Sequence, residues 1–511
     1  MVANSFMQRR NNIPSPLVGE GRGRGVIGTM VLSPSPQPSP IKIARVFPKK
    51  HGRKTRSLFL VKGEGAVLSF PTLLRYSRML AALLCFSSTN AHATPNIQHW
   101  QSTSGAKVLF VEDHNIPMLD VSVSFPAGSS FDSADSAGVA SMTQQLLDAG
   151  AVGLSEDEIS RSMADIGAVF GGSVDQDRAS VSLRTLSSDE ERNKALDVMS
   201  RVLQQPLFSE TILTREKTRL IGALKEAETK PESIADKAFQ KAVYGSHPYS
   251  LPVAGDVASV EKITQQDLKD FYQLHYTANN AVVAIMGDVS RAQAEAIAQQ
   301  LTEKLSADNT SVILHKEVLK ISASEQRIAH PATQSHILIG APGMSRNDPD
   351  YFALYVGNHI LGGGGFTSRL MNEVREKKGM AYSVYSYFVP LKQPGAFQIG
   401  LQTKKEQADE ALKIVRNTLS DFITKGPTEQ ELLAAKQNIM GGFPLRIDSN
   451  SKIIGYLGVM GFYDMPLTYL DDFTRKVEQV TVAQVREVFA RRIDPKAMST
   501  IIVGAPEGKA K

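Results

Sequence analysis

Only one cysteine, Cys85, occurs in the 511 residues, so no disulfide framework can hold the fold together. The ten histidines are scattered, and no two stand at i, i+3 or i, i+4, which leaves no helical pair of imidazoles for a metal. These shortages exclude zinc fingers and cysteine-rich redox centres. Charged residues make up 21% against 42% hydrophobic, the balance of an ordinary globular protein and not of a disordered or coiled-coil chain. Long apolar runs are missing too: the segment from Met79 to Phe86 is too short to cross a bilayer, and no transmembrane span is expected.

The net charge of +5 is unevenly spread. Residues 1–93 carry 14 bases against only Glu20 and Glu64, which leaves 43 bases and 50 acids in the remainder, a net charge of −7. A basic head therefore precedes an acidic body, and that body gives no support for nucleic-acid binding. Residues 11–40 are rich in Pro, Ser, Gly and Arg, a composition that cannot supply a packed core. Arg75 and Arg78 then precede the apolar run, which is followed by Ala91-His92-Ala93. This is the layout of a secretory signal over 79–93 cleaved after Ala93, and it implies a periplasmic location. An Arg- and Ser-rich, acid-poor head also fits a mitochondrial transit peptide, the alternative reading. Because the signal begins at Met79, residues 1–78 are expected to be a disordered extension or upstream sequence translated in error. Cys85 follows Leu84, not the small residue a lipoprotein signal needs, and leaves with the leader.

The body repeats itself. Val260-Glu261-Lys262-Ile263-Thr264, with Gly287 closing the unit, recurs as Val477-Glu478-Gln479-Val480-Thr481 with Gly504, an offset of 217. Ala195-Leu196 and Leu203 match Ala411-Leu412 and Leu419, and Pro126 and Asp132 match Pro342 and Asp348, at 216. The expected organisation is one domain over 94–305, a linker at 306–325 and a homologous domain over 326–511. Ser155-x-x-Glu158, Thr428-x-x-Glu431 and Thr481-x-x-Gln484 read as capping boxes opening helices. Apolar or alternating runs at 108–111, 120–125, 181–186, 336–339 and 397–401 read as strands. Strands beside strands, with paired helices between them, predict α+β units with mainly antiparallel sheets.

Several segments together resemble a known family. They are Phe125-Pro-Ala-Gly-Ser-Ser-Phe-Asp132, Gly138 to Gly150, Tyr244-Gly-Ser-His-Pro-Tyr249, and Ser368 to Ser383 with Arg375 and Tyr382 seven apart. The chain resembles the M16 zinc peptidases, which include pitrilysin, insulin-degrading enzyme and the mitochondrial processing peptidase, over essentially all of 96–508. The resemblance implies two homologous domains forming half of a clam-shell. Active members carry His-x-x-Glu-His on the first long helix, with two imidazoles on the zinc and the Glu as general base. The matching positions here are Ser141, Gln144 and Gln145. If Glu216 is the family's auxiliary acid, the third ligand position falls on Ala223. None of the four motif positions brings an imidazole or a carboxylate, so no metal is expected in this chain. Glu226 is nearby, but one carboxylate does not hold zinc.

In the second half Arg375 and Tyr382 match the family's Arg/Tyr pattern, which reaches a substrate carbonyl and the developing oxyanion. Read without the family, Arg375 belongs to a solvated charged face and Tyr382 to a half-buried strand. His247 and His359 read as structural, and His330 and His336 flank a strand start. Gly362 to Gly365 lacks the Lys-Ser/Thr of a phosphate loop and reads as a mobile helix-ending loop. The leading expectation is a non-catalytic subunit of a periplasmic M16 heterodimer. A catalytic M16 partner would bring the zinc, and this chain would bring a strand edge for unfolded peptides, with Arg375 and Tyr382 acting in trans. The alternatives are a non-enzymatic peptide-binding or core-subunit-like assembly protein, and an active M16 zinc endopeptidase.

Overall fold

The computed structural model describes residues 95–307, 317–318 and 322–504. The expected extension (1–78), the leader (79–93) and most of the expected linker lie outside the described residues. All described residues fall within one compact unit.

The first half contains β1 (Gln98–Gln101), β2 (Lys107–Glu112), β3 (Met118–Phe125), the short pair β4 (Gly150–Ala151) and β5 (Leu154–Ser155), β6 (Val169–Val174), β7 (Ala179–Leu186) and β8 (Val282–Gly287). Its helices are α1 (Val139–Leu146), α2 (Glu156–Asp165), α3 (Asp189–Gln204), α4 (Glu210–Ala227), α5 (Pro231–Tyr244), α6 (Val257–Lys262), α7 (Gln265–His275) and α8 (Arg291–Thr302). The second half contains β9 (Glu325–Ile328), β10 (Gln334–Met344), β11 (Ala381–Phe388), β12 (Gly395–Lys404) and β13 (Ser499–Val503). Its α-helices are α9 (Tyr351–Asn358), α10 (Ala408–Lys425), α11 (Glu429–Gly442), α12 (Asn450–Phe462), α13 (Tyr469–Gln479) and α14 (Val482–Arg492).

The two large sheets run in the orders β1-β2-β8-β3-β7-β6 and β11-β12-β10-β13-β9. Pairing is antiparallel except for one parallel pair in each, β2 with β8 and β9 with β13. The duplication is visible in the register. Lys107 stands opposite Val282 and Glu325 opposite Thr500, a shift of 218 on both strands. Leu119 pairs with Gly287 and His336 with Val503, shifts of 217 and 216.

Local chemistry sets the helix starts. Ser155, Thr428 and Thr481 each accept from the backbone N–H three residues on, and the side chain there returns a bond to the cap N–H. Thr264 and Thr481, equivalent in the repeat, are both caps.

Period-two alternation decides which core each side chain joins. On β2, Val108 and Phe110 face the first core, whereas Leu109 and Val111 join the larger core of the second half. That second face of the first sheet is covered by α12, which belongs to the other half. The equivalent helix α5 of the first half covers β10 and β13 in return, burying Ala235, Phe239 and Val243 against Leu338, Ile501 and Val503. The halves thus exchange equivalent helices. Glycines permit the close approach: a Cβ on Gly461 would stand 2.5 Å from Val282 Cγ1, and one on Gly340 would stand 2.5 Å from the Phe239 ring.

Candidate functional site

In the first half, Asp132 fixes the start of α1. Its buried carboxylate accepts the backbone N–H groups of Gly138 at 2.7 Å and Ala140 at 3.0 Å. Burial pushes its pKa up to about 7, against those two bonds. Gly138 sits at φ +98°, and a side chain there would meet the Ala254 carbonyl. Val139, Met142, Thr143 and Leu146 on α1 are buried, which turns Ser141, Gln144 and Gln145 toward the other side.

That side meets α4 and β6. Gln145 Nε2 donates to Glu216 Oε2 at 2.8 Å. Glu216 is 6% exposed and also accepts from Arg215 Nε at 3.0 Å and Arg219 Nη1 at 3.4 Å. Arg215 in turn holds Glu156 at 2.9 Å. The Gln144 amide occupies the space beside Gly172 of β6, where a Cβ would collide with its Nε2. Ala223 is exposed two turns further along α4, roughly 10 Å up the axis. Glu226 pairs with Lys230 at 2.8 Å.

This donor set does not fit zinc. It offers a hydroxyl, two neutral amides, a methyl group, and one carboxylate already engaged by an amide and two guanidinium groups. Among the described residues no group of three or more His, Cys, Asp or Glu is placed to hold a metal ion.

In the second half, Arg375 lies in the last turn of the π-helical segment Met371–Glu376, and Gly379 at φ +62° precedes β11. The β11–β12 register slips between Ala381 and Val384, a bulge that re-aims Tyr382. Tyr382 is 83% exposed. The Arg375 guanidinium lies 5.2 Å over the Tyr382 ring and 4.9 Å over that of Phe366, itself largely exposed. Arg375 is therefore clasped between two aromatic faces, which departs from both plain readings: the arginine is not on a freely solvated face, and the tyrosine is not half-buried. Beside this pair opens a cleft of about 450 Å³ walled by Gln334, Gln402 and Lys404. The structure brings Arg375 to Tyr382 and Gln145 to Glu216, but the two pairs sit on different halves. Strands β6 and β11, equivalent in the repeat, are both sheet edges.

His247 is buried and accepts from the Tyr249 backbone N–H at 3.1 Å, a structural role. Sequence reasoning missed its neighbour. Tyr249 Oη donates to Asp177 Oδ1 at 2.5 Å, while Tyr463 Oη and the Lys392 backbone N–H donate to Oδ2 at 2.9 and 2.7 Å. Asp177 is buried in the β6–β7 turn, and burial with the nearby Asp175 charge raises its pKa against those three donors. The only sequence signal was an acidic turn between two alternating strands, which reads as an ordinary hairpin. Gly362 and Gly363 belong to a π-helical turn, His359–Gly363, instead of a plain cap.

Residues 107–257 match the family model described as insulinase, peptidase family M16, and residues 262–439 match the one described as peptidase M16 inactive domain. The crystal structure of a peptidase M16 inactive domain from Pseudomonas fluorescens superposes with a TM-score of 0.78 at 38% identity, covering 81% of this chain and 99% of that one. A protein of Helicobacter pylori called a non-peptidase homolog is 24% identical over 78% of this chain and 91% of its own length. A Streptomyces coelicolor protein called an uncharacterized zinc protease is 28% identical over 62% of this chain and 70% of its own length.

Proposed function

The chain belongs to the M16 peptidase family as a homologue of the inactive type, and from that premise we propose that it is the non-catalytic subunit of a peptide-degrading or peptide-processing heterodimer. The observation that carries this reading is the clasp of Glu216 by Gln145, Arg215 and Arg219. Positive guanidinium groups and a neutral amide engage the carboxylate at the auxiliary-acid position, while the ligand positions Ser141, Gln145 and Ala223 bring no imidazole or carboxylate, so the first half is built as a closed polar contact.

The partner brings zinc, which supplies a polarised carbonyl and an activated water. This chain holds the substrate. The edge strand β6 offers unpaired backbone groups to an extended peptide, and Gly171 and Gly172 keep that edge low. Arg375 brings fork-like donors for a peptide carbonyl, and the exposed Tyr382 hydroxyl donates to an oxygen that gains charge. Stacking between Phe366 and Tyr382 holds the guanidinium in place. The working location in this reading is the periplasm, reached by cleavage after Ala93, and N-terminal sequencing of the mature protein checks it.

The purified chain should hold no zinc by elemental analysis and cleave no peptide. Co-expression with an M16 chain that carries an intact zinc motif should give a complex whose activity falls roughly 10- to 1,000-fold with Arg375→Ala or Tyr382→Phe, the scale of a lost oxyanion donor. Unchanged rates in both variants refute the trans role. Purification of the native protein with an assembly that lacks any zinc peptidase favours the assembly reading instead.

A further inference from the structure

We propose that Asp236 of α5, with the tyrosine pair Tyr385 and Tyr387 of β11, forms a subsite for a guanidinium group, carried by a peptide arginine or by a small free guanidine. The two rings stand on the same side of the strand, with centroids 5.6 Å apart and planes within 14°. Tyr385 is paired across the sheet with Gly400, and a Cβ there would stand 2.5 Å from its ring. Glycine at that point lets the ring lie across β12, and both tyrosines are only half-buried. The result is an aromatic platform with part of its surface open to water.

An acid without a counter-ion stands beside this platform. Helix α5 packs over β10 and β13, and Glu232, Asp236 and Gln240 follow one another at i, i+4 and i+8 along one side of it. The Asp236 charge raises the pKa of both Tyr385 and Tyr387. Burial first, then the Glu232 charge, push Asp236 itself up to about 6. Every influence on this carboxyl is unfavourable to its charge, and among the described residues it has no ion pair or hydrogen bond. Its neighbour Lys237 turns to Glu228 at 3.9 Å. His336, which faces Glu232 at 3.9 Å, has its pKa lowered chiefly by burial and brings no cation at neutral pH. One turn beyond Asp236, Gln240 Oε1 is buried without a donor.

A guanidinium answers these features together. It stacks flat on a tyrosine face, gives the carboxylate a paired fork of N–H groups, and loses less hydration than an ammonium. The protein's own Arg375 shows the stacking half of this recognition, held over Tyr382 and Phe366. The acid is not demanded by the helix exchange: at offset 217 the partner helix α12 has Ile453 and Leu457 in place of Asp236 and Gln240.

The test is isothermal titration of the full chain with N-acetyl-arginine amide, its neutral isostere N-acetyl-citrulline amide, and methylguanidinium. The arginine probe should bind about tenfold more tightly than the citrulline one, the scale of a partly desolvated cation–π and charge contact. Asp236→Asn should weaken the arginine probe about as much without lowering the thermal melt, since it removes a charge that has no partner. Tyr387→Leu keeps the carboxylate, loses one ring face and should fall between. Methylguanidinium binding as well as the arginine probe assigns the subsite to free guanidines; a clear preference for the arginine probe assigns it to peptide side chains, and both uphold guanidinium recognition. Equal affinity for the arginine and citrulline probes, an Asp236→Asn variant that binds like the parent, or no binding of any probe at millimolar concentration overturns the proposal. The assay needs no partner and no peptidase activity, so its failure is separate from failure of the heterodimer reading.

Discussion

Tyr463 Oη donates to Asp177 Oδ2 at 2.9 Å across 286 positions of sequence, joining the second half of the chain to the first turn of the β6–β7 hairpin. Tyr249 and the Lys392 N–H complete the set, so one buried carboxylate ties both halves. Removing one donor leaves a buried acceptor short of a partner. Tyr463→Phe should lower stability by about 1–3 kcal/mol in urea unfolding, with a single transition for both halves; two separated transitions in the parent protein would argue against this coupling.

Helix exchange gives a second expectation of the same kind. Phe239 of α5 is fully buried against the second sheet. Phe239→Ala should cost about 3–5 kcal/mol, although the residue lies in the first half. Hydrogen exchange checks where the loss falls: faster exchange in β10 and β13 is expected, and a change confined to the first sheet would contradict the packing.

Stability should depend on pH through Asp132. The folded state keeps its proton up to about pH 7, while the ordinary value is 3.8. Its folded pKa is raised, so its contribution is complete below about pH 4 and is lost as pH rises to 7. Asp132→Asn cannot titrate, and the difference in denaturation midpoint between parent and variant should shrink steadily from pH 4.5 to 7.5. Parallel profiles would show that Asp132 does not titrate in this window. Its counterpart Asp348 is held by Arg492, a cation the first half does not place beside Asp132.

Glu216 and Tyr382 should separate structure from function. Glu216→Ala leaves Arg215, Arg219 and Gln145 without their shared acceptor and should destabilise the fold by about 1–3 kcal/mol. Tyr382→Ala, at an 83% exposed position, should change stability by less than about 0.5 kcal/mol. A large loss on Tyr382→Ala in thermal unfolding would make that tyrosine a structural residue.

Much of the architecture was legible because its signals are local. Ser155, Thr428 and Thr481 cap helices wherever a Glu or Gln follows at the third position, and alternation along 181–186 marks a strand whatever it packs on. The parallel pairs β2/β8 and β9/β13 were not legible, since a central strand buried on both faces, such as Val282 to Met286, reads the same for either direction. The Asp177 node was hidden because its four contributors share no spacing. Phe366 was passed over because an aromatic after glycines gives no sign that it will lie over Arg375.

The sequence by itself determined the duplication, the α+β class, the M16 likeness, and the residue types at Ser141, Gln144, Gln145 and Ala223. These follow from identity and short-range periodicity, which folding does not alter. Only the tertiary structure decided that Gln145 closes on Glu216 with two arginines, that α5 and α12 change places between sheets, and that Asp236 comes beside Tyr385 and Tyr387. Each depends on side chains from 71 to more than 300 positions apart arriving at one point, and that meeting is set by how whole sheets and helices pack.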